Sequence, residues 1–412
     1  MKYVAATIVS FAVGNAIAQQ ARVIQIPVHP MYGQLEPRCV SGDGRIVVGS
    51  GHKPDGNNTT IPMVWPIDGE IESLLDPLLR GGASGSVCSY DGAVVAGTGH
   101  DRDYNQVGYR WVRGGGVTLL NGLVGQARLY SASAMNRDGS IIAGDIHNAA
   151  GSNPAFSGAY WTSEAGVVVV AGIPGGATSR VISGMSGDGR TMVGILNGSA
   201  PFAWRADSGS FLVPFPSAAY TDTHGLSVTS NGDAIFATAI GRMPGIGVPM
   251  TWNPDTGTST LPGIAGQNST GLDAATADGR VGVGSTIANS TPPYGEAGAV
   301  VFTLGSGTRY LADVLADYGI SRPRTDFRYS IDVSHDGRVI VGQGGIYPYW
   351  VVILPSPAPA DFNVDGTVDM VDLMDFIDCF TGNSVLPVSS ADMDGDGAVD
   401  CFDFDEFVRR FE

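Results

Sequence analysis

Basic residues are scarce in this 412-residue chain: Lys+Arg number 23 against 40 Asp+Glu, for a net charge of −17. That balance excludes nucleic acid as a partner, because a phosphate backbone is gripped by clustered Lys and Arg. Before the tail, glutamate is confined to Glu36, Glu70, Glu72, Glu164 and Glu296. A pair of catalytic carboxyls there would have to draw mainly on Asp. No stretch after the N-terminus is long and apolar enough to span a bilayer; Val167–Val170 is a strand-sized piece. No nucleophile elbow, zinc motif or P-loop is present. With 4 Cys there is room for at most two disulfides. Glycine, at 59 residues, is abundant, which suits a turn-rich β protein.

The ends differ in character from the middle. Lys2, the apolar stretch Tyr3 to Val13 and the small-residue site Ala16-Ile17-Ala18 read as a signal peptide over residues 1–18. The expected mature protein is therefore secreted, and disulfides are compatible with that route. From Asp361 to Glu412 there are twelve Asp and two Glu against Arg409 and Arg410. Most of the net charge thus belongs to the tail.

Between these ends a hairpin pattern recurs seven times, an apolar strand on each side of Asp-Gly or Asn-Gly. Its glycines fall at 44, 92, 139, 189, 232, 279 and 337, a period of 43 to 58 residues. Glycine takes positive φ without a steric penalty, so the neighbouring Asp residues read as turn formers before anything catalytic. Each unit then places an aromatic on a third strand: Trp65, Trp111, Trp161, Trp204, Trp252, Phe302 and Trp350. A short fourth strand follows in six units, at Ile71–Leu75, Val117–Leu120, Val167–Val170, Phe211–Val213, Ser259–Leu261 and Arg309–Leu311. Four strands at this period describe a propeller blade. The seventh unit lacks its fourth strand, and the mature N-terminal segment Val23–Val28 is expected to supply it and close the ring. The expected fold is mainly β: a seven-bladed β-propeller over 19–354, then a Pro-rich linker at 355–360. Six or eight blades would require a misread unit, with the long interval before Ser334 the weakest place. The repeats resemble the extracellular HAF-repeat family, a likeness that implies a fold and names no reaction.

In the tail, Asp361, Asn363, Asp365, Gly366, Asp369 and Asp372 spell D-x-N-x-D-G-x-V-D-x-x-D, with the carbonyl of Thr367 at position seven. Asp392, Asp394, Asp396, Gly397, Ala398, Asp400 and Asp403 repeat the pattern 31 residues on. Calcium needs six to eight hard oxygens in a loop that bends sharply at its sixth residue. Two calcium ions are the expected cofactors. Each loop leads into an apolar-faced helix, expected at Met370–Phe380 and Cys401–Phe411, and the linker prolines leave no entering helix. Loop-then-helix, duplicated, with Asp at position twelve, resembles a type I dockerin over 361–412. That resemblance implies antiparallel helices about a pseudo-twofold axis. It also implies a cohesin-type or cell-surface partner, chosen at loop positions ten and eleven: Met370 and Val371, Cys401 and Phe402. Those side chains are either an exposed contact patch or part of the tail's own core. So small a core should need its metal in order to fold.

Antiparallel tail helices would bring Cys379 and Cys401 together, so a disulfide is expected there. Cys39 and Cys88 lie on the innermost strands of blades one and two, displaced by one residue, and are either a second bridge or two buried thiols. His52, His100 and His147 occupy one repeat position in blades one to three. They are either inherited loop residues or, with Asp101, Asp103 and Tyr104, the wall of a carbohydrate groove. The leading reading is a non-enzymatic secreted binding or scaffold protein held in place by its tail. The alternative is a tethered glycoside hydrolase acting in polysaccharide breakdown, with Glu296 on the expected ligand face.

Overall fold

A computed structural model describes residues 20–54, 59–122, 127–148, 155–170, 180–242, 246–267, 269–286, 297–344, 347–356, 358, 360–393 and 399–411. The leader at 1–18, Glu296, Asp394, Asp396 and Ala398 lie outside the described residues.

The chain is a seven-bladed β-propeller of four-stranded antiparallel sheets. The seventh blade consists of Tyr329–Val333, Val339–Gly344 and Tyr347–Ile353, completed by the N-terminal strand Arg22–Gln25. Arg22 pairs with Ile353 and Gln25 with Trp350. The expected closing strand is shorter than Val23–Val28, because Val28–His29 turns away into a two-stranded hairpin with Gly33–Gln34.

One local device builds every blade. The turn glycine has φ between 65° and 82° in all seven copies, Gly44 through Gly337. Its N–H returns to the carbonyl three residues back, as from Gly44 to Ser41 at 2.8 Å. The Asp or Asn before it accepts from the N–H two residues on, at 2.9–3.2 Å. These carboxylates are engaged in their own turns. Three residues before each glycine stands Ser41, Ser89, Asn136, Ser186, Thr229, Thr276 or Ser334. Its side-chain oxygen accepts the N–H that opens the second strand, at 2.9–3.1 Å.

Outside blade one, the fourth strands begin earlier than the apolar pattern indicates, for example Gly116–Leu119 and Gly166–Val169. In blades two, three and four the last apolar residue of the segment passes beyond the strand into the core. Leu120 and Val170 are fully buried, with Val213 at 3% exposure. A helix that the pattern does not announce, α1 (Leu311–Asp317), fills the interval between blades six and seven and buries Leu311, Ala312 and Leu315.

Every innermost strand carries a register shift, between Pro37 and Cys39 in blade one and between Leu272 and Ala274 in blade six, for instance. On the Asp-Gly side these strands join in a belt of backbone bonds around the channel. Asp43 donates to Tyr90, Tyr90 to Arg137, Arg137 to Gly187, Gly187 to Ser230, Ser230 to Ala277, and His335 to Gly42, at 2.6–3.0 Å. Within the belt the Arg137 guanidinium lies 3.9 Å from the Tyr90 ring centroid, and that ring meets His335 edge-on at 5.2 Å.

Candidate calcium module and docking surface

Two helices complete the tail, α2 (Met370–Phe380) and α3 (Cys401–Phe411), with the bounds the apolar spacing predicts. Asp369 starts α2 by accepting from Val371 N at 2.7 Å, and Asp372 accepts from Asp369 N at 2.9 Å. Asp400 and Asp403 repeat the arrangement at α3, both at 2.8 Å. The residues proposed at loop positions nine and twelve are thus also the capping box of each helix.

The duplication is visible in the aromatic core. Phe376 and Phe407 occupy the same repeat position, and their rings stack on each other at 4.4 Å and 6°. Phe376–Phe380 and Phe407–Phe411 both stand at 5.8 Å. Phe362 meets both stacked rings edge-on, at 5.5 and 6.2 Å. Equivalent residues touching each other is what a pseudo-twofold axis produces.

The first loop gathers its oxygens inside this fold. Asp361, Asn363 and Asp372 are buried. Asp361 accepts from Asp365 N and Gly366 N, both at 3.0 Å, and Asp365 accepts from Thr367 N at 2.8 Å. Asp372 also accepts from Asn363 N at 3.1 Å. Gly366 has φ 93°, the bend that position six requires. Val364 has φ 58°, a left-handed conformation rare for a β-branched residue, while its side chain packs against the cluster around α1. Burial pushes the Asp361 carboxyl upward, the N–H donors of Gly366 and Asp365 oppose that, and Asp372 and Asp365 add repulsion. Hard, mutually repelling oxygens in a bent loop suit a calcium ion. Among the described residues, no three His, Cys, Asp or Glu side chains already converge on one point. In the second loop Asp403 is buried and accepts from Met393 N at 2.7 Å, Asp392 is partly buried and Asp400 is exposed.

Positions ten and eleven are not core. Met370, Val371 and Phe402 are 63%, 49% and 64% exposed, and Cys401 is exposed as well. Met374 and Ile377 continue the apolar surface along α2. In α3 the matching position to Met374 is Asp405, so only the first copy carries an unbroken stripe.

The tail rests on the Asp-Gly face of blades five and six. Gly305 N donates to Asn363 O at 2.8 Å, Asn253 Nδ2 to Val385 O at 3.1 Å, and Ser390 Oγ to Asp278 O at 2.7 Å. Phe362, Leu386, Ala391 and Met393 share one buried cluster with Phe236, Leu272 and Phe302 of the propeller.

One expectation is corrected. Cys379 and Cys401 are free: Cys379 faces inward and donates to Pro387 O at 3.2 Å, while Cys401 points to solvent. The cause is the phase of the helices, which turns the two residues to opposite sides of the module. Each of the three histidines contacts a residue of its own blade. His52 pairs with Glu36 at 3.3 Å, His100 lies 3.3 Å from Gly82 O, and His147 packs on Tyr130. In blades one and two, Cys39 Sγ and Cys88 Sγ meet at 2.7 Å.

The serine and threonine braces, α1 and the tail–propeller interface are absent from the sequence-level expectations. The braces had a signal: a hydroxyl or Asn stands three residues before every turn glycine. Among the described residues no helix is long and apolar enough to cross a membrane.

Residues 359–412 match the family described as Dockerin type I domain. Among curated proteins none matches the chain. Solved structures of similar architecture include an oligogalacturonate lyase in complex with manganese, 11% identical with TM-score 0.55, covering 82% of this chain and 94% of that one. Oligogalacturonate lyase from Vibrio parahaemolyticus is 12% identical with TM-score 0.55, covering 84% and 96%. At this identity the likeness shows the propeller fold alone.

Proposed function

We propose that the chain is a secreted protein whose calcium-loaded dockerin module holds a binding or scaffold propeller in an extracellular or cell-surface complex. Type I dockerins are calcium-binding modules, and such a domain implies a cohesin-type partner. The proposed ligands are Asp361, Asn363, Asp365, Asp369 and Asp372 with the Thr367 carbonyl, and Asp392, Asp394, Asp396, Asp400 and Asp403 with that of Ala398, for two ions. The observation that carries the docking role is the exposed stripe Met370, Val371, Met374 and Ile377, joined by Phe402. Apolar side chains left in water at these positions are what a protein partner would cover. Titration calorimetry of the full chain against a panel of cohesin domains should give binding in calcium and none in chelator. Met374→Glu should weaken binding at least tenfold with the fold unchanged. Binding indifferent to both would remove the proposal.

A second reading, an enzyme acting on polysaccharides, draws on Asp273 of blade six's innermost strand. The protein packed around this acid pushes it up to about 6 although the residue is exposed, opposed by the nearby His224 and by a bond from Ser285. A shifted acid of this kind is material for acid–base chemistry. Sugar release from polysaccharides that Asp273→Asn abolishes would favour this reading over the first.

A further inference from the structure

We propose that Cys39 and Cys88 form a disulfide that staples blade one to blade two at the channel wall. Cys39 lies on Glu36–Val40 and Cys88 on Arg80–Cys88, the innermost strands of neighbouring blades. Counted from the turn glycine, Cys39 matches Val87, and Cys88 matches Val40. The two are therefore a diagonal pair, one residue apart in the repeat frame. The register shifts at Pro37/Cys39 and Gly85/Val87 bring such diagonals together. The next diagonals around the ring are filled by Val87 with Met135 and Ala134 with Met185. At the opposite flank of blade one, Asp332 reaches Val40 N at 2.9 Å along the same diagonal. Only the first two blades place sulfur on both sides of it.

A Sγ–Sγ separation of 2.7 Å leaves no atom between the sulfurs. Bonding them to the usual length of about 2.05 Å closes a gap of well under 1 Å between the sulfurs. A metal site is not the better reading, since among the described residues no third ligand joins the pair. Burial also raises the Cys39 thiol above its ordinary range. Such a thiol is a poor nucleophile in steady turnover, which suits a structural bond rather than a redox catalyst.

A low-molecular-weight disulfide balances the reaction. The thiolate of Cys88, the less buried of the two, attacks one sulfur of the oxidant and expels a thiol, leaving a mixed disulfide. Cys39 then gives up its proton and attacks the Cys88 sulfur, expelling the second thiol. The protein loses two electrons and two protons, and the oxidant takes them up as two thiols. Both cysteines line a channel pocket of about 190 Å³. Nothing in this bond depends on the docking module, so each proposal can fail alone.

The test is peptide mapping of the folded full chain, equilibrated with oxidised glutathione and digested without reduction. The expected product is a cross-linked peptide pair containing Cys39 and Cys88, lighter by two hydrogens than the free pair. Cys379 and Cys401 should not be cross-linked to each other or to either member of that pair. Alkylation of all 4 cysteines, or glutathione adducts on Cys39 or Cys88 without a cross-link, would overturn the proposal. Cys39→Ser and Cys88→Ser should each lower the melting midpoint under oxidising conditions, and the double variant no further. If either variant fails to fold, the mass of the native chain still decides.

Discussion

The Ser186 hydroxyl is fully buried; it donates to Asp188 at 2.6 Å and accepts from Thr191 N at 2.9 Å. Removing it strands a buried N–H at the mouth of a blade, a loss of about 1–3 kcal/mol. Ser186→Ala should therefore lower the thermal midpoint by a few degrees, whereas Ser208→Ala, in an exposed turn, should change stability by less than about 0.5 kcal/mol. Equal melts for the two variants would show that the brace contributes nothing. Asp332 makes a prediction of opposite character. Its carboxyl is enclosed by protein and pushed up by that burial from 3.8 to about 7, with the Val40 and Val333 N–H groups opposing. Channel solvent grazes the residue, but the surrounding protein governs the shift. An acid with a raised folded pKa holds its proton more tightly folded than unfolded. Its contribution is therefore complete below pH 3.8 and fades as pH rises through about 7. Asp332→Asn should flatten that decline in a series of melts from about pH 4 to about pH 8. An identical slope in wild type and variant would rule the assignment out.

Strands and helices were the readable level, because their signals are periodic and local. The Asp-Gly turns, the aromatic of each third strand and the duplicated apolar helices all repeat, and repetition multiplies a weak pattern. The helices α2 and α3 begin where an Asp caps them and end where their apolar face ends. What escaped was non-periodic or non-local. The helix α1 occurs once, so no second copy flags it, and its residues Leu311–Asp317 follow a strand without an N-cap side chain. The rotation of α2 and α3 about their own axes decides where Cys379 and Cys401 point, and an end-to-end argument misses rotation. The same rotation stacks Phe376 on Phe407. Phe376→Ala removes one ring of that stack and leaves a cavity, at a cost of about 3–5 kcal/mol. A module with so small a core cannot absorb that loss. The variant's tail should stay unfolded even in calcium, seen as lost helical ellipticity and as proteolysis near Ala360 with the propeller intact.

At the scale of the molecule, the position of the tail follows from the closing of the ring. The strand Tyr347–Ile353 ends opposite Val339, two residues past the turn glycine Gly337, so the chain leaves blade seven on the Asp-Gly face. There Gly305 of blade six comes close to the first loop. Its N–H bonds the Asn363 carbonyl, and a methyl added at Gly305 would stand 2.5 Å from Asn363 Cγ. Beside it the Arg280 guanidinium lies 5.1 Å from the Phe362 ring centroid. The residue held by the propeller through its backbone is thus one whose side chain is a proposed calcium ligand, so the interface and the metal site share Asn363. Gly305 has no left-handed φ, so Gly305→Ala adds a wedge without straining its own backbone. In calcium, that variant should scatter X-rays as a propeller with a loosely tethered tail, with a larger radius of gyration than wild type. Chelation should move the wild type the same way and leave the variant nearly unchanged. The variant's calcium titration should lose affinity at one site by several-fold and keep the other, because the second loop has no equivalent of Gly305 among the described contacts. Superimposable scattering curves for the two proteins in calcium would mean that the interface carries no coupling, and that the two sites answer to the tail alone.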